Sequence, residues 1–303
     1  MDRMDRRGFL ECMAWMGTGV VWTASGGIFS SRVLPAAAAE GGDGNFSFVQ
    51  ISDTHVGFKG EANKDATVTL QQSIDKINAL PTPPAFVMHT GDLTHGQKPG
   101  AFDTVSEMLK GAKAGKVIYI PGEHDVFSDG GKEFLGRYAN GGPGWQSFDY
   151  KGVHFVALVN VLKYKGEHIG ALGGEQIAWL KQDLAGLTAS TPVVVFAHVP
   201  LWSVYPAWGW VTEDSDQAMA LLTRFGSVTV LNGHIHQALQ KVEGNVTFHT
   251  ARSTAFPQPA PGSAPAPGPM KIPEDQARPM LGLREVRYVV GTSQLAVIDT
   301  SLA

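Results

Sequence analysis

The sequence predicts an α/β fold built around a largely parallel sheet. Apolar runs rich in β-forming residues alternate with segments whose apolar residues recur at helical spacing. Several of these runs end abruptly in a carboxylate or an imidazole, and strands of open α/β sheets deliver their chemistry at such carboxyl ends. The chain has 303 residues, 43% of them hydrophobic and 17% charged, which is enough for one large domain or two small ones.

The first 39 residues are interpreted as an export signal. Arg6-Arg7 precede a mildly apolar run at residues 13–29, and Ala37-Ala38-Ala39 offers a cleavage site. This arrangement resembles a twin-arginine (Tat) signal, which a receptor reads and which does not anchor the protein. An N-terminal membrane helix is the alternative, but the glycine, serine and threonine residues of the run make it too polar to favour a span.

We therefore expect the Tat export machinery as a partner, a periplasmic or secreted location, and no stable membrane anchor. The mature chain, from residue 40 to 303, is expected to form a single domain. Cys12, which is the only cysteine of the chain, lies inside the predicted signal. The mature chain would then hold no disulfide and no cysteine metal ligand.

The first half of the predicted domain alternates strands with helices. An apolar stripe at Ala66, Leu70, Ile74 and Ile77 predicts the first helix, which ends at the prolines that follow. In chain order the predicted elements are strand Phe46–Ser52, that helix, strand Ala85–His89, helix Phe102–Leu109 and strand Val117–Ile120.

The second half begins with a predicted hairpin that turns at Lys151-Gly152. A helical stripe runs from Ile177 to Leu187, and a Pro-, Ala- and Gly-rich insert at residues 256–273 predicts an extended surface loop. The other predicted elements are strands Trp145–Tyr150, Val153–Val159, Val193–Phe196 and Val228–Leu231, helix Ser215–Phe225, and strand character at Gln240–Thr250 and Arg284–Asp299.

Five of the predicted strands end in residues that can bind a metal. The blocks are Asp53-x-His55, Gly91-Asp92, Gly122-Glu123-His124-Asp125, His198 and Gly233-His234-x-His236. Mixed nitrogen and oxygen ligands suit Mn, Fe or Zn better than Ca or Mg, and the set is not that of a thiolate zinc site. Two cations about 3.5–4 Å apart repel, so a pair of metals would need a shared carboxylate between them.

This series of blocks resembles the calcineurin-like metallophosphoesterases, whose pattern is D-x-H, G-D, G-N-H-[DE], H and G-H-x-H. The resemblance covers the chain from about Phe46 to about Thr250. It implies a four-layer αββα sandwich, with two mixed sheets flanked by helices, and a two-metal centre at the carboxyl ends of the strands. The cofactors it implies are two divalent ions, or one trivalent and one divalent ion, of Mn, Fe or Zn.

The resemblance also implies a role for each ligand. In this reading, the bridging ligand between the metals is Asp92. Asp53, His55 and His236 would hold the first metal, and Glu123, His198 and His234 the second. Glu123 departs from the family pattern, which has Asn at this place, and adds one negative charge to the centre. We expect that charge to favour a hard or more highly charged metal and to make the bridging water less acidic.

The remaining candidates concern catalysis and substrate contact. The matching family residue makes His124 the expected proton donor to the leaving group, with Asp125 orienting or charging it; a loop histidine that is only hydrogen-bonded is the alternative. His95 either faces the cleft and touches a phosphate or is a solvated loop residue. An aromatic loop after His198 either contacts substrate or ties the loop down; its residues are Trp202, Tyr205, Trp208 and Trp210.

These observations predict an exported, metal-dependent phosphoesterase that acts on a small phosphate ester. Small phosphodiesters such as cyclic nucleotides are the first expectation, and a phosphomonoesterase that scavenges phosphate is the alternative. A non-catalytic scaffold should have lost ligands, and an amidohydrolase would carry its His-x-His on the first strand, whereas here the motif closes the series. The net charge of −4 gives no electrostatic basis for binding a nucleic-acid polymer.

Overall fold

The structure is a computed structural model that describes residues 20–25, 28–33, 44–163, 170–292 and 295–303. The chain divides into two units, Met1–Asn45 and Phe46–Ala303. In the first unit, strands β1 (Val20–Ser25) and β2 (Ile28–Val33) pair antiparallel. The arginine pair, the cleavage site and the domain start at residue 40 lie outside the described residues. No helix in the described part of the chain is long and apolar enough to cross a membrane.

The second unit contains two mixed sheets. The first has five strands in the order β13-β12-β3-β4-β5, and the second has six in the order β10-β11-β9-β8-β7-β6. The strands are β3 (Phe46–Ile51), β4 (Val87–His89), β5 (Val117–Tyr119), β6 (Gln146–Tyr150), β7 (Val153–Ala157), β8 (Val193–Ala197), β9 (Val228–Asn232), β10 (Gln240–Glu243), β11 (Val246–Thr250), β12 (Gly282–Tyr288) and β13 (Ala296–Ser301).

The described residues of the second unit form six α-helices. They are α1 (Ala66–Asn78), α2 (Ala101–Leu109), α3 (Lys132–Tyr138), α4 (Gly174–Leu184), α5 (Ser215–Leu222) and α6 (Glu274–Ala277). Four of these helices connect parallel strands, namely α1, α2, α4 and α5, and these pack on the outer faces of the sheets. Helix α1 begins at an N-cap, because the Asp65 carboxylate accepts a hydrogen bond from the backbone N–H of Thr67.

Parallel pairing joins β3 to β4 and β4 to β5 in the first sheet, and β7 to β8, β8 to β9 and β9 to β11 in the second. The chain crosses between parallel neighbours through helices, as the alternating sequence pattern predicts, except between β9 and β11, which are connected through β10. The remaining pairs are antiparallel, including the β6–β7 hairpin predicted at Lys151-Gly152. The parallel strands therefore present their carboxyl ends at a common edge of each sheet.

Three apolar layers hold this architecture together. Phe48 and Phe86 of the first sheet meet Phe155 and Phe196 of the second in the buried layer between the sheets. A second layer packs the first sheet against α1 and α2, and a third packs the second sheet against α4 and α5. The predicted four-layer αββα sandwich, with two mixed sheets flanked by helices, is confirmed.

The Pro-rich insert at residues 256–273 contains no strand or helix. Most of it is exposed, as expected for a surface loop, but its first residues are buried. Ala255 and Phe256 belong to a small apolar cluster with Phe58 and Ala66. The first residues of the insert therefore pack against the rest of the domain, and only the later residues form an exposed surface loop.

Candidate metal centre

The five ligand blocks meet at the carboxyl edges of both sheets. Asp53 and His55 follow β3, Asp92 follows β4, and a short 3₁₀ turn, Glu123–Asp125, follows β5. From the second sheet, His198 directly follows β8, and His234 and His236 come shortly after β9. The two loops after β3 and β4 continue the parallel pairing, since the N–H of Asp53 bonds to the Gly91 carbonyl at 2.9 Å and that of His55 to the Asp92 carbonyl at 2.9 Å.

The ligand loops adopt a backbone conformation that side chains other than glycine rarely take. Eight non-glycine residues of the described chain have a positive φ, and five of them are predicted ligands. Such a conformation costs about 1–3 kcal/mol per residue and persists only where surrounding contacts enforce it. The backbone strain of this fold is therefore concentrated where the predicted ligands turn toward one another; these ligands are Asp53, His55, Asp92, His234 and His236.

Glycine is required in these loops partly because side chains of other ligand loops lie too close to leave room for a Cβ atom. A Cβ on Gly122 would lie 2.1 Å from Asp92 Oδ1, and one on Gly233 would lie 2.6 Å from Asp53 Oδ2. Gly91 combines a φ of +101° with a would-be Cβ only 2.3 Å from His198 Nδ1. The glycines of the motif blocks therefore make room for ligands from other blocks, in addition to turning the chain after a strand.

Three of the predicted ligands form a first group around Asp53. The Nε2 of His236 lies 3.2 Å from Asp53 Oδ1, and the Nε2 atoms of His55 and His236 lie 3.3 Å apart. All three side chains are buried. Their ligand atoms lie within 4.8 Å of one another, close enough to share one cation.

A second group forms around Glu123. The Nε2 of His198 lies 2.8 Å from Glu123 Oε2, and the Nδ1 of His234 lies 3.0 Å from Glu123 Oε1. Asp92 stands between the two groups. Its Oδ2 is 3.4 Å from His55 Nε2 and 3.6 Å from His198 Nε2, whereas its Oδ1 accepts the backbone N–H of His124. One oxygen of Asp92 therefore faces both groups, as a shared ligand must.

The hydrogen bonds of the imidazoles fit metal binding. Nδ1 of His198 bonds to the Thr90 carbonyl at 2.7 Å, and Nδ1 of His236 bonds to the Phe256 carbonyl at 2.6 Å. Because a carbonyl only accepts, each Nδ1 carries a hydrogen, and each Nε2 is the atom that can bind a cation once it is deprotonated. Nε2 of His198 is fully buried, and although it lies 2.8 Å from Glu123 Oε2, it forms no well-directed hydrogen bond in the described structure. A cation would give this atom a partner, so the residues fit a metal pair.

The electrostatics favour cations as well. Burial opposes ionisation of Glu123, but His234 and His198 hold the pKa of its carboxyl well below the usual range. Burial likewise opposes the charging of His198, yet Asp92 and Glu123 raise its pKa well above the ordinary value. Burial, together with neighbouring histidines, lowers the pKa of His55 well below the ordinary value and leaves it neutral. The centre therefore combines an excess of negative charge with an uncharged imidazole.

His124 lies at the same place, with its side chain in the cavity that the ligands line. Burial lowers its pKa, but the charges of Asp92, Glu123 and Asp125 outweigh burial and raise that pKa above the ordinary value. Its ring meets that of His55 edge to face, with the centroids 4.9 Å apart. This placement agrees with the expected proton donor and leaves the role itself a prediction.

Asp125 is bonded to the backbone, and not to His124. Its carboxylate accepts the N–H groups of Leu93, Thr94 and Gly122, at 2.9, 2.9 and 3.0 Å. Burial, and then the charge of Asp92, raise its pKa to about 7, although the three N–H groups favour the ionised form. The structure gives Asp125 no direct hydrogen bond with which to orient His124, because its oxygens join the loop after β4 to the loop after β5. The other expectation, that Asp125 charges His124, agrees with its contribution to the raised pKa of that imidazole.

Five of the seven predicted ligands, all except Asp53 and His198, line a cavity of about 200 Å³. Of the aromatic loop, Trp208 and Trp210 belong to its wall, whereas Trp202 and Tyr205 do not. Trp202 stacks on Phe248 in the core of the second sheet, with the centroids 5.3 Å apart, so its expected substrate contact is not supported. The position of the Trp202 ring is explained by its packing in the apolar core, and not by contact with a substrate.

Sequence reasoning missed the wall that the Pro-rich insert contributes. The Phe256 ring lies 4.7 Å from that of His55 and 4.5 Å from that of His236, measured between centroids. The Gln258 side chain donates to the His234 carbonyl at 2.9 Å. The insert also supplies Pro267 and Pro269 to the cavity. A Pro-rich composition predicts a loop, and nothing in it indicates where the loop will lie.

Comparison with known proteins agrees with this geometry. The family model described as calcineurin-like phosphoesterase matches residues 46–238. The chain belongs to the calcineurin-like phosphoesterase family. It is therefore a metal-dependent phosphoester hydrolase of a family that uses two metals, and the small phosphoester substrate that the sequence predicts is consistent with this family.

Individual relatives of this phosphoesterase are distant. It is 26% identical over 216 residues to a protein of Rhodococcus erythropolis named "Probable cyclic nucleotide phosphodiesterase", covering 69% of this chain and 71% of that protein. It is 26% identical over 225 residues to a serine/threonine-protein phosphatase of Mus musculus, covering 64% and 70%. A dimetal phosphatase structure from Danio rerio superimposes with a TM-score of 0.64 at 13% identity, covering 85% of this chain and 96% of that one, which shows the shared fold.

The close approach at Gly122 yields a test of the shared ligand. In Gly122→Ala, the added methyl group would overlap with Asp92. We therefore expect the affinity of the protein for at least one of the two Mn²⁺ ions to fall about 10–100-fold. Isothermal titration of the metal-free phosphoesterase with Mn²⁺ measures this affinity. Gly174→Ala is the control, since no atom lies within 4 Å of its added Cβ. Unchanged Mn²⁺ binding by Gly122→Ala would contradict the placement of Asp92.

The pKa of His198 yields a test of pH dependence. Because that pKa is raised, the metal-free protein keeps a proton on His198 that a cation must displace. Apparent metal affinity should therefore rise with pH, by about tenfold per pH unit for each displaced proton. Titrations in two buffers of different ionisation enthalpy count the released protons. Affinity that stays constant from mildly acidic to mildly alkaline pH would show that no ligand exchanges a proton for the metal.

Proposed function

We propose that this phosphoesterase is an exported, two-metal enzyme that hydrolyses small phosphodiesters such as cyclic nucleotides. One observation carries the catalytic part of the proposal. Two buried groups of ligand atoms lie on either side of a carboxylate oxygen of Asp92, and His124 lines the same cavity. A scaffold that had lost its chemistry would not need to keep both groups of ligands together with a proton donor.

The two groups would hold one ion each. Asp53, His55 and His236 form the first site, Glu123, His198 and His234 form the second, and Asp92 Oδ2 is shared. The mixed oxygen and nitrogen set suits Mn, Fe or Zn, as two divalent ions or as one trivalent and one divalent ion. When bound, such a pair neutralises charge on a phosphate and supplies a nucleophilic hydroxide from water. The extra carboxylate of Glu123 favours a hard or more highly charged ion in the second site.

His124 would donate a proton to the departing oxygen of the ester. It lies beside both ligand groups, and the neighbouring carboxylates raise the pKa of its imidazole above the ordinary value, which favours the protonated form that a proton donor needs. An alkoxide leaves poorly without a proton, whereas a phenolate with a low pKa leaves unaided. A proton donor at this place therefore suits esters of ordinary alcohols, including the sugar hydroxyls of nucleotides.

The apolar part of the cavity wall supports a diester with an organic group of some size. Trp208 and Phe256 present aromatic rings to the cavity, and Pro267 and Pro269 add rigid apolar surface. Flat apolar surface of this kind packs well against a ring. The Rhodococcus relative and a Mycobacterium tuberculosis relative named "cAMP/cGMP dual specificity phosphodiesterase", 23% identical over 229 residues, also support this substrate class.

A phosphomonoesterase is the second candidate. The serine/threonine-protein phosphatase relative of Mus musculus, at 26% identity, supports it as well as the phosphodiesterase relatives support the first. The two candidates differ in the charge and bulk of the phosphate group. They are separated by comparing kcat/KM for bis(p-nitrophenyl) phosphate and p-nitrophenyl phosphate with Mn²⁺ added. A larger value for the monoester would establish the second candidate, and hydrolysis of neither ester would refute both.

Removal of His124 tests the proposed proton donor. His124→Ala should slow hydrolysis of a cyclic nucleotide, whose leaving group is an alkoxide, by about 10²–10⁴-fold. It should slow bis(p-nitrophenyl) phosphate much less, because p-nitrophenolate leaves without protonation. His249→Gln is a control for loss of a histidine, since His249 lies on β11 and does not line the cavity. Equal losses for both esters would remove His124 from this role.

Export through the Tat pathway to a periplasmic or extracellular location is proposed from the N-terminal sequence alone. That pathway moves folded proteins, so the metals would be acquired before export. Replacing both Arg6 and Arg7 by Lys should retain the full chain, and its activity, in the cytoplasmic fraction of a Tat-competent bacterium. Immunoblots of cell fractions measure this, with a Tat-deficient strain as the reference. Normal export of the doubly substituted chain would count against the proposal.

A further inference from the structure

His95, three residues beyond Asp92, touches both halves of the catalytic apparatus. Its Nδ1 lies 3.2 Å from the Nδ1 of His55, a predicted metal ligand. Its ring lies nearly parallel to that of His124, the predicted proton donor, with centroids 4.9 Å apart and 17° between the ring planes. The sequence leaves open whether His95 touches a phosphate or is a solvated loop residue. His95 lines the cavity, and these contacts engage one of its ring nitrogens and one face of its ring with other side chains.

The contact with His55 has a defined direction. Nε2 of His55 faces the centre, 3.4 Å from Asp92 Oδ2 and 3.3 Å from His236 Nε2. A neutral imidazole that presents its Nε2 lone pair to a cation carries its hydrogen on Nδ1. Two facing Nδ1 atoms form a hydrogen bond only if one donates and the other accepts. His55 is then the donor, and His95 is the acceptor.

An acceptor at this place completes a pattern in the centre. The Nδ1 atoms of His198 and His236 donate to the carbonyls of Thr90 and Phe256. Such outer bonds fix the tautomer and the ring orientation of a ligating histidine, and their loss typically lowers metal affinity about 10–100-fold. For His55, the corresponding acceptor is a side chain.

His95 is itself held in place. Its backbone N–H bonds to the carbonyl of Val56 at 3.0 Å, which joins its loop to the loop that carries His55. The ring of Phe58 packs against it edge to face, with centroids 5.2 Å apart and 81° between the planes. The His95 ring thus lies between Phe58, His55 and His124, and its position is set by the two loops that it joins.

We propose that His95 is a positioning residue that accepts the Nδ1–H of His55 and supports the ring of His124. A single side chain then sets the orientation of a first-metal ligand and of the proton donor. This inference rests on the proposed two-metal function. It adds to that function a reason why the metal site and the proton donor keep a fixed relation to each other.

Two substitutions separate the two contacts of His95. His95→Phe keeps an aromatic ring against His124 but has no acceptor for His55. His95→Asn keeps an acceptor oxygen near the place of Nδ1 but removes the ring. Metal binding is measured by titrating the metal-free chain with Mn²⁺. The function of His124 is measured at saturating Mn²⁺, as the rate ratio between a cyclic nucleotide and bis(p-nitrophenyl) phosphate.

We expect His95→Phe to weaken the binding of one of two Mn²⁺ ions about 10–100-fold and to keep the wild-type rate ratio. His95→Asn should bind both ions within about threefold of wild type, as expected for retained outer-bond function, and lower the ratio. Wild-type metal binding by His95→Phe, or binding by His95→Asn as weak as that of His95→Phe, would overturn the hydrogen-bond role. An unchanged ratio in His95→Asn would overturn the support of His124.

The controls keep this inference separate from the proposed function. Gln97→Ala loosens the same loop, because Gln97 bonds to the N–H of Ser128 and to Asp129, and it should leave Mn²⁺ binding unchanged. Thermal unfolding identifies a variant that has not folded; in that case His95→Leu, which also lacks an acceptor, replaces His95→Phe with the same expected loss. Should the wild-type chain bind fewer than two ions or hydrolyse neither ester, the proposed function fails and this inference fails with it.

Discussion

The main constraint on this structure is that three carboxylates are buried close together, where they repel one another. Asp53, Asp92 and Glu123 lie in a space that excludes most water, where like charges repel strongly and unpaired charges are costly. Four imidazoles surround them, and Nε2 of His198 lies 2.8 Å from Glu123 Oε2 without forming a well-directed hydrogen bond in the described structure. Protonation of His198, whose pKa is raised, offsets only part of this charge. A pair of cations would offset the rest, and ions that relieve the repulsion would also bind a phosphate.

The rest of the fold serves to bring these groups together. Two sheets pack through aromatic side chains such as Phe48 and Phe155, which places the carboxyl edges of both sheets at one site. The ligand loops then accept unfavourable backbone conformations at five predicted ligands, and glycines such as Gly122 allow loops to approach within contact distance. The packing energy of a large αββα core offsets this local strain, as is common at catalytic sites.

The region around the metals divides into positioning groups and a wall. Asp125 joins two loops through backbone N–H groups, and His95 contacts both His55, a predicted metal ligand, and His124, the predicted proton donor. On the other side, Phe256 and the prolines of the insert bring apolar surface close to the ligands. The family shares the metal chemistry, so the choice of substrate must depend on parts such as this wall, which lies mostly outside the residues that the family model matches.

The sequence by itself predicted most of the strands and helices of the second unit and the seven candidate ligands, but it missed α3 and α6 and did not divide the two C-terminal regions of strand character into pairs of strands. Each predicted feature is a local pattern: an apolar run, a helical stripe, or a polar block directly after a strand. Only the tertiary structure decided that Trp208 and Trp210 line the cavity while Trp202 packs in the core, that Asp125 bonds to backbone N–H groups and not to His124, and that Phe256 covers two ligands. These outcomes depend on contacts between residues far apart in the chain, and local periodicity carries no information about which distant side chain will fill a given space.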